Sequence, residues 1–268
     1  MFYYEILSKT MLTRRWFLAA PALAAQPKFA WPSGKSCAIS LSWDDARLSQ
    51  VDAGIPFLNK HGVKGTFYIL PRSWEKRLDG WRAAARQGHE LAHHSNSHPC
   101  SINFGFTRTN GLEDYTIARL EADIEAATAQ FQSSFGFKPV SFAYPCGQKY
   151  VGRGAATRSY VPVIAEHFES GRGYLDEAAN NPEVCDLANL MGIGLDNISF
   201  ADMKRHADSA RKENRWLIFA GHEMGSTGNQ TTNLDALAEL IAYAKKPANG
   251  IWLDTVAEVA KYIKGKRV

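Results

Sequence analysis

The chain has 268 residues, of which 45% are apolar and 22% are charged, and its formal net charge at pH 7 is +4. These values are typical of a folded globular protein and argue against extensive disorder. The length suits one domain with a sizeable core, and the scattered lysine and arginine residues give little support to nucleic-acid binding.

The N-terminal stretch has the features of a cleaved export signal. The Arg14-Arg15 pair precedes a short apolar run at residues 16–25, which is rich in alanine. This pattern predicts an export signal of the twin-arginine type over residues 1–26, with Met11 as an alternative start, and the run is too short to span a bilayer. A disordered or lipid-associated helix is the alternative. Residues 27–268 are then expected to form one catalytic domain.

Strand-like and helix-like segments alternate along the rest of the chain. Strands are predicted over residues 36–42, 66–70, 90–92, 140–145, 187–195, 216–220 and 250–253. Helices are predicted over residues 49–61, 74–87, 112–135, 155–169, 199–213, 234–246 and 255–264, and a long loop over residues 99–111. Because the strands are apolar on both faces, the alternation predicts parallel strands in an α/β barrel or a doubly wound sheet.

The cysteine spacing leaves the disulfide pattern open. The chain has four cysteines, Cys37, Cys100, Cys146 and Cys185, and none of them form a C-x-x-C pair, which argues against a structural zinc knuckle. One or two disulfides are compatible with an exported protein. Cys100 and Cys146 lie in two candidate site loops and could meet, but full pairing allows three connectivities and free thiols are equally compatible with the sequence.

Polar residues follow the predicted strands at four places. These residues are Asp44 and Asp45, His94 and His98, residues 144–147, and His222. In parallel α/β barrels the carboxyl ends of the strands carry the active site. One aspartate with two histidines is a common ligand set for a divalent metal, and a second aspartate beside it could act as a base on water.

Each of these features also has a plainer interpretation when it is taken alone. The aspartate pair could cap a helix. The histidine pair could lie on a surface turn, and His222 could be a hydrogen-bonded core histidine. His93 and Glu223 have no evident role beyond structure. The four placements taken together favour a metal-dependent hydrolase.

Four segments resemble the polysaccharide deacetylases of the NodB-homology type, which form carbohydrate esterase family 4. The segments are Ser42-Trp43-Asp44-Asp45, His94-Ser95-Asn96-Ser97-His98-Pro99, Phe142-Ala143-Tyr144-Pro145-Cys146-Gly147, and the apolar strand that runs into His222. The resemblance spans about residues 36–255. It implies an α/β fold, a single-domain distorted (β/α) barrel of NodB type, that removes N-acetyl groups from amino-sugar polymers with a divalent metal, usually zinc.

The resemblance also implies a role for each matching residue. The implied metal ligands are Asp45, His94 and His98. Asp44 would be the general base that activates water, and His222 the general acid that protonates the leaving amine. The backbone N–H of Cys146, with Tyr144 beside it, would contact the oxyanion or the substrate.

The sequence departs from the family pattern at three positions. Ala46 replaces the usual glycine after the aspartate pair, and Ala143 replaces the arginine that normally orients the base, although a Phe-Ala-Tyr-Pro version occurs in a subset of the family. Arg153 or Arg172 is the predicted substitute for that arginine. The family's Asp-Trp motif, whose aspartate holds the acid histidine, is not recognisable.

Asp196 is the predicted partner of His222 in place of that motif, with Asp186 as the alternative. Trp43, Phe104, Phe106 and Tyr160 are candidates for stacking on sugars or for the core, and Trp43 is expected in the core.

The sequence therefore predicts an exported, metal-dependent deacetylase of a peptidoglycan-like or chitin-like glycan, in the periplasm or outside a bacterial cell. Zinc is the expected cofactor and an N-acetylated glycan the expected partner, with no nucleic acid and no transmembrane segment. The alternatives are a metal-dependent C–N hydrolase of a small or cyclic amide, and a glycan-binding relative that has lost catalysis.

Overall fold

The computed structural model describes residues 28–267, so the predicted export signal and its boundary lie outside the described residues. In chain order the strands are β1 (Cys37–Asp44), β2 (Thr66–Ile69), β3 (Glu90–His93), β4 (Ser141–Ala143), β5 (Tyr150–Val151), β6 (Arg158–Ser159), β7 (Ser170–Arg172), β8 (Ile193–Gly194), β9 (Trp216–Gly221), β10 (Glu223–Gly225), β11 (Thr231–Asn233) and β12 (Ile251–Leu253). The helices are α1 (Ile55–Lys60), α2 (Pro71–Trp74), α3 (Leu78–Arg86), α4 (Ile117–Phe135), α5 (Val161–His167), α6 (Phe200–Glu213), α7 (Leu234–Lys245) and α8 (Val256–Lys266). Within this part of the chain, no helix combines the length and the apolar character that crossing a membrane requires.

The main sheet is parallel and has the order β7-β4-β3-β2-β1-β9-β8. One edge of β1 pairs with β9 over most of its length. The other edge is shared, because β12 pairs with Cys37–Ile39 and β2 pairs with Ser42–Asp44. The carboxyl ends of β1, β2, β3, β4, β7 and β9 therefore open on the same side of the sheet, as expected for an α/β fold.

The two outer strands of the sheet approach each other and curl it into a partly closed barrel. Arg172 at the end of β7 forms a parallel bridge to Leu190, and three residues later the chain enters β8 at the opposite end of the sheet. Three extended residues span at most about 11 Å. The sheet edges are therefore held near one another, which is the distorted barrel that the resemblance implies.

The core explains why β1 and β9 are apolar on both faces. All residues of β1 are buried. On one face Trp43 packs on Phe67, which contacts Trp81, and on the other face Trp216 packs with Val259 of α8. Trp43 and Tyr160 are fully buried, so they belong to the core, whereas Phe104 and Phe106 are exposed.

Two predicted elements are much shorter than the sequence suggests. The strand predicted over residues 187–195 is reduced to β8, because Asp186 accepts a hydrogen bond from the N–H of Ala188 at 2.9 Å and starts a turn there. The helix predicted over residues 155–169 is reduced to α5, since Pro162 fits only the first turn of a helix. The preceding residues instead form the small β5–β6 hairpin.

A disulfide joins the loops that follow β3 and β4. Cys100 and Cys146 are bonded across a sequence separation of 46 residues, while Cys37 and Cys185 are free. Of the pairings that the sequence left open, this is the one in which two candidate site loops meet. The bond ties the start of the 99–111 loop to the turn at the end of β4.

Removing this disulfide should lower the stability of the whole domain. Closing a loop of this length stabilises a protein by about 2–4 kcal/mol, mainly through the unfolded chain. The double variant Cys100→Ser/Cys146→Ser should lose about that free energy of unfolding in a denaturant titration. Cys185→Ser, which removes a free thiol, is the control and should change little. Four titratable thiols in the denatured, unreduced wild-type protein would contradict the bond.

Candidate active site

Asp44 ends β1 in a buried ion pair with Arg172, which ends β7. The side chain of Arg172 is fully buried and its guanidinium donates to Oδ1 of Asp44. The same guanidinium lies 4.6 Å from the ring centre of Tyr68 and donates to the carbonyl of Gly173. Asp44 raises the pKa of Arg172 although burial acts in the opposite direction. The charge of Asp44 is therefore compensated within the protein.

Asp45, the next residue, faces the histidine pair. Its Oδ1 lies 3.5 Å from Nε2 of His94 and 3.3 Å from Nε2 of His98. Its Oδ2 accepts hydrogen bonds from Nη2 and Nε of Arg47 at 2.8 and 3.2 Å. Burial disfavours the charged form of Asp45, yet the close contacts with His94 and His98 hold its pKa below the usual range. Asp44 and Asp45 thus have different partners.

The turn at Asp45 and Ala46, directly after β1, has unusual backbone angles. Asp45 has φ 76° and Ala46 has φ 53°, both in the left-handed region. That region costs a residue with a side chain roughly 1–2 kcal/mol. The cost explains why glycine is the family's usual residue at the position of Ala46. Here the turn forms with alanine, and Ala46 is buried.

The donor atoms of Asp45, His94 and His98 fit a divalent metal ion. Two ligands of a tetrahedral zinc, each about 2.1 Å from the ion, lie about 3.4 Å apart. The two distances from Asp45 Oδ1 to the imidazole nitrogens match this value. The three ligand atoms form one compact group. Burial lowers the pKa of His98 to about 4, with a further contribution from His94 and opposition from Asp45, so its ring is neutral at pH 7 as a metal ligand requires.

Both histidines are held in place by the surrounding backbone. Nδ1 of His94 lies 3.0 Å from the carbonyl oxygen of Ala143 and donates to it, which leaves the Nε2 lone pair facing Asp45. The N–H of His98 donates to Ser95 Oγ at 2.9 Å. The carboxylate of Asp123 on α4 accepts the N–H groups of Asn96 and Ser97, at 2.9 and 3.2 Å. The loop that carries both histidines is therefore fixed before any ligand binds.

His222 directly follows β9 and is held by Asp196. Nδ1 of His222 donates to Asp196 Oδ2 at 2.6 Å, and the backbone N–H of His222 donates to Oδ1 at 2.9 Å. Tyr174 also donates to Oδ2 at 3.2 Å, and its ring stands edge-on to the imidazole. Burial opposes protonation, but the hydrogen bond and charge of Asp196, with the charges of Asp44 and Asp45, raise the pKa of His222.

Three predicted site residues are not brought to this site. Tyr144 is buried and its hydroxyl donates to the carbonyl of Ala188 at 2.6 Å, so its side chain supports the core rather than the substrate. Arg153 is exposed and pairs with Asp114 at 2.8 Å. Asp186, the alternative partner of His222, caps the turn at residues 187–189. Among the predicted substitutes, the structure places Arg172 beside Asp44 and Asp196 beside His222.

Cys146 lies at the turn after β4 with φ 54°, and its disulfide to Cys100 leads back to the loop of His98. His93, interpreted as structural, is buried and donates from Nε2 to the carbonyl of Ile124 at 3.1 Å. Glu223 accepts from Ser49 and lies 3.9 Å from Arg47. Glu223 therefore lies at the edge of the site, near the arginine that binds Asp45.

Four contributors to the site were not identified from the sequence. They are Tyr174, Asp123, Arg47 and Gln50, whose amide donates to the backbone carbonyls of Asp44 and His222 at 2.5 and 2.8 Å. None belongs to a recognisable motif, and Tyr174, Asp123 and Gln50 each join segments that are apart in the chain. Only Arg47, two residues after Asp45, gave a local signal.

Part of the chain matches a known family and a curated protein. The family described as "Polysaccharide deacetylase" matches residues 32–160. Among curated proteins, the uncharacterized YlxY of Bacillus subtilis (strain 168) is 27% identical over 109 residues, which is 41% of this chain and 30% of that protein. The matched segment thus spans less than a third of that relative.

Solved structures share the fold over most of the chain. A presumed polysaccharide deacetylase from Mycobacterium smegmatis has a TM-score of 0.62 at 14% identity, covering 90% of this chain and 94% of that one. Puue allantoinase has a TM-score of 0.61 at 14% identity, covering 88% and 92%. A family 4 acetyl xylan esterase from Clostridium thermocellum, solved with a cobalt ion, has a TM-score of 0.54 at 18% identity, covering 85% and 92%.

These likenesses establish an α/β fold of the NodB barrel type. The family match covers the segments that carry Asp44, Asp45, His94, His98 and the Tyr144-Pro145-Cys146 turn. The family resemblance read from the sequence motifs is therefore confirmed over residues 32–160, where the chain matches the polysaccharide deacetylase family.

Proposed function

We propose that the protein is an exported, metal-dependent deacetylase that hydrolyses N-acetyl groups of an amino-sugar polymer. One observation carries the proposal. A ligand set for a divalent metal, a carboxylate held by a buried arginine, and a histidine held by an aspartate converge at the carboxyl ends of β1, β3, β7 and β9. A protein that only binds glycans has no need of these three features together.

Asp45, His94 and His98 would hold the metal, for which zinc is our proposal. When bound, such an ion polarises a carbonyl group and makes water a stronger nucleophile near neutral pH. The cobalt ion in the Clostridium thermocellum esterase supports a divalent ion in this family.

Asp44 takes the proton of the attacking water in this proposal. Its carboxylate lies next to Asp45 in the chain, and Arg172 fixes its orientation through the bond to Oδ1. A base held in one orientation is more effective because less reorganisation is needed during the reaction. Arg172 thus performs, from the neighbouring strand, the orienting function that an arginine at position 143 has in most relatives.

His222 gives a proton to the departing amine nitrogen. An amide nitrogen leaves as a neutral amine only if it is protonated, so the reaction needs an acid as well as a base. Asp196 binds Nδ1, which leaves Nε2 of His222 to carry the transferred proton. The raised pKa of His222 keeps the acid form available at higher pH.

The backbone N–H of Cys146 would donate to the oxygen that becomes negative as water adds to the acetyl carbon. A single donor of this kind contributes about 3–4 kcal/mol to the transition state. The disulfide to Cys100 and the bond from Gly147 N–H to the Tyr144 carbonyl, at 2.8 Å, hold this turn. Export of the protein is proposed from the sequence features of residues 1–26.

A second candidate is hydrolysis of a small or cyclic amide. Its support is that Puue allantoinase has the same fold and that Ala143 departs from the usual pattern of the polysaccharide deacetylases. A cleft lined by Asp45 and His98, together with the predicted export signal, favours a polymer over a small metabolite.

Acetate release distinguishes these candidates. Signal-free protein with bound metal should release acetate from N-acetylglucosamine oligomers or from peptidoglycan, and a chelator should abolish the reaction. The chelated protein resupplied with zinc is the control and should recover activity. Metal-loaded protein that releases no acetate from either substrate would contradict the deacetylase proposal and favour the small-amide hydrolase.

The variant Asp196→Asn should change the pH dependence of the reaction. Loss of the Asp196 charge lowers the pKa of His222, and the acid must be protonated to act. The alkaline limb of the kcat/KM profile should therefore move to lower pH, with reduced activity at neutral pH. Asp186→Asn, which keeps its capping bond, is the matched control and should leave the profile unchanged. An unshifted alkaline limb in Asp196→Asn would show that His222 is not the acid.

A further inference from the structure

A cleft next to the metal ligands carries more positive charge than the proposed chemistry uses. It has a volume of about 520 Å³, within the range of sites for small ligands. Asp45 and His98 line its inner end, and Phe106 and Glu223 also contribute. Its basic residues are Arg47, Arg72 and Lys76.

The two acidic residues of the cleft are already engaged. Arg47 binds Asp45 at 2.8 Å and lies 3.9 Å from Glu223, and Glu223 also accepts from Ser49. In contrast, neither Arg72 nor Lys76 forms an ion pair with any residue in the 28–267 range. Two cations of the cleft wall are therefore left without a protein counter-charge.

This arrangement does not serve the local fold. Arg72 lies in α2 and Lys76 follows four residues later, and like charges at this spacing on a helical segment destabilise it by a few tenths of a kcal/mol. The next basic residue, Arg77, is neutralised by Asp52 at 2.9 Å. Of the basic residues at positions 72–77, Arg72 and Lys76 line the cleft without an acidic partner, whereas Arg77 is paired and does not line it.

An aromatic surface lies in the same cleft. The side chain of Phe106, on the 99–111 loop, is 67% exposed. Its ring centre lies 6.2 Å from that of His98 and 5.5 Å from that of Phe104. An exposed aromatic ring beside metal ligands suits the apolar face of a sugar, and the nearby cations suit an anionic substituent on it.

We infer that this cleft is a subsite for a sugar that bears a carboxylate, bound by Arg72 and Lys76 while the ring lies against Phe106. The carboxylate could belong to the lactyl ether of a muramic acid or to a uronic acid. Arginine forms bidentate hydrogen bonds with a carboxylate, and lysine adds a point charge. The inference rests on the proposed function for the N-acetylated glycan, but its test does not require turnover.

The test compares oligosaccharides with a free and an esterified carboxylate. The probes are an oligosaccharide of N-acetylglucosamine and N-acetylmuramic acid, one of N-acetylglucosamine and glucuronic acid, and the methyl ester of each. Binding is measured by titration calorimetry in the presence of a chelator, so that no acetate is released during the titration. Wild-type protein should bind at least one free acid about fivefold to tenfold more tightly than its ester, as expected for two partly exposed charge contacts.

The variants identify the residues responsible. Arg72→Gln/Lys76→Gln should lose most of the preference for the acid while binding the esters as wild-type protein does. Arg86→Gln/Lys212→Gln removes the same charge from exposed residues that do not line the cleft, and should retain the preference. Equal binding of acid and ester by wild-type protein, or an unchanged preference in Arg72→Gln/Lys76→Gln, would overturn the subsite.

Each remaining outcome has one meaning. A preference for only one of the two acids assigns the carboxylate to the lactyl ether or to the uronic acid. If the preference is present but the metal-loaded protein releases no acetate from any probe, the deacetylase proposal fails and the subsite stands. If acids and esters bind equally well while the metal-loaded protein releases acetate from the probes, the deacetylase proposal stands and the subsite fails.

Discussion

Two adjacent carboxylates at the end of a buried strand are the constraint on which the site depends. Neighbouring negative charges away from water are unfavourable unless each has its own positive partner. Asp44 is paired with Arg172 inside the protein. Asp45 pairs with Arg47 through Oδ2, while its Oδ1 faces Nε2 of His94 and of His98. Asp44 and Asp45 thus have separate partners, and this separates the proposed base from the proposed ligand of a divalent cation.

The parallel sheet allows the partner of Asp44 to come from a different strand. Ala143 in β4 and Arg172 in β7 are direct partners in the sheet register. With the small side chain of Ala143 at the strand end, the guanidinium of Arg172 reaches Asp44 over the ring of Tyr68. The arginine that pairs with Asp44 therefore comes from β7, the strand next to β4. For Asp44, the presence of a positive charge beside it matters more than which strand carries the arginine.

The sequence predicted most of the fold because apolar strands and amphipathic helices alternate regularly. It also located Asp44, Asp45, His94, His98 and His222, which lie in local motifs at strand ends. It failed for the strand at 187–195, where the side chain of Asp186 competes with strand pairing. Tyr174 and Asp123 were missed, because they act through contacts between segments far apart in the chain. The choice between Arg153 and Arg172 likewise depends on strand order, which no local pattern encodes.

Metal content and turnover, measured together in Asp44→Asn and Asp45→Asn, test the separation of roles most directly. Asp44→Asn should retain wild-type zinc content after dialysis while its turnover falls about 10²- to 10⁴-fold, as expected for loss of a general base. Asp45→Asn should lose both zinc and turnover. His167→Ala, which alters the surface group of Glu121, Glu125 and His167, is the control and should retain both. Loss of zinc from Asp44→Asn, or full zinc content in Asp45→Asn, would contradict this account.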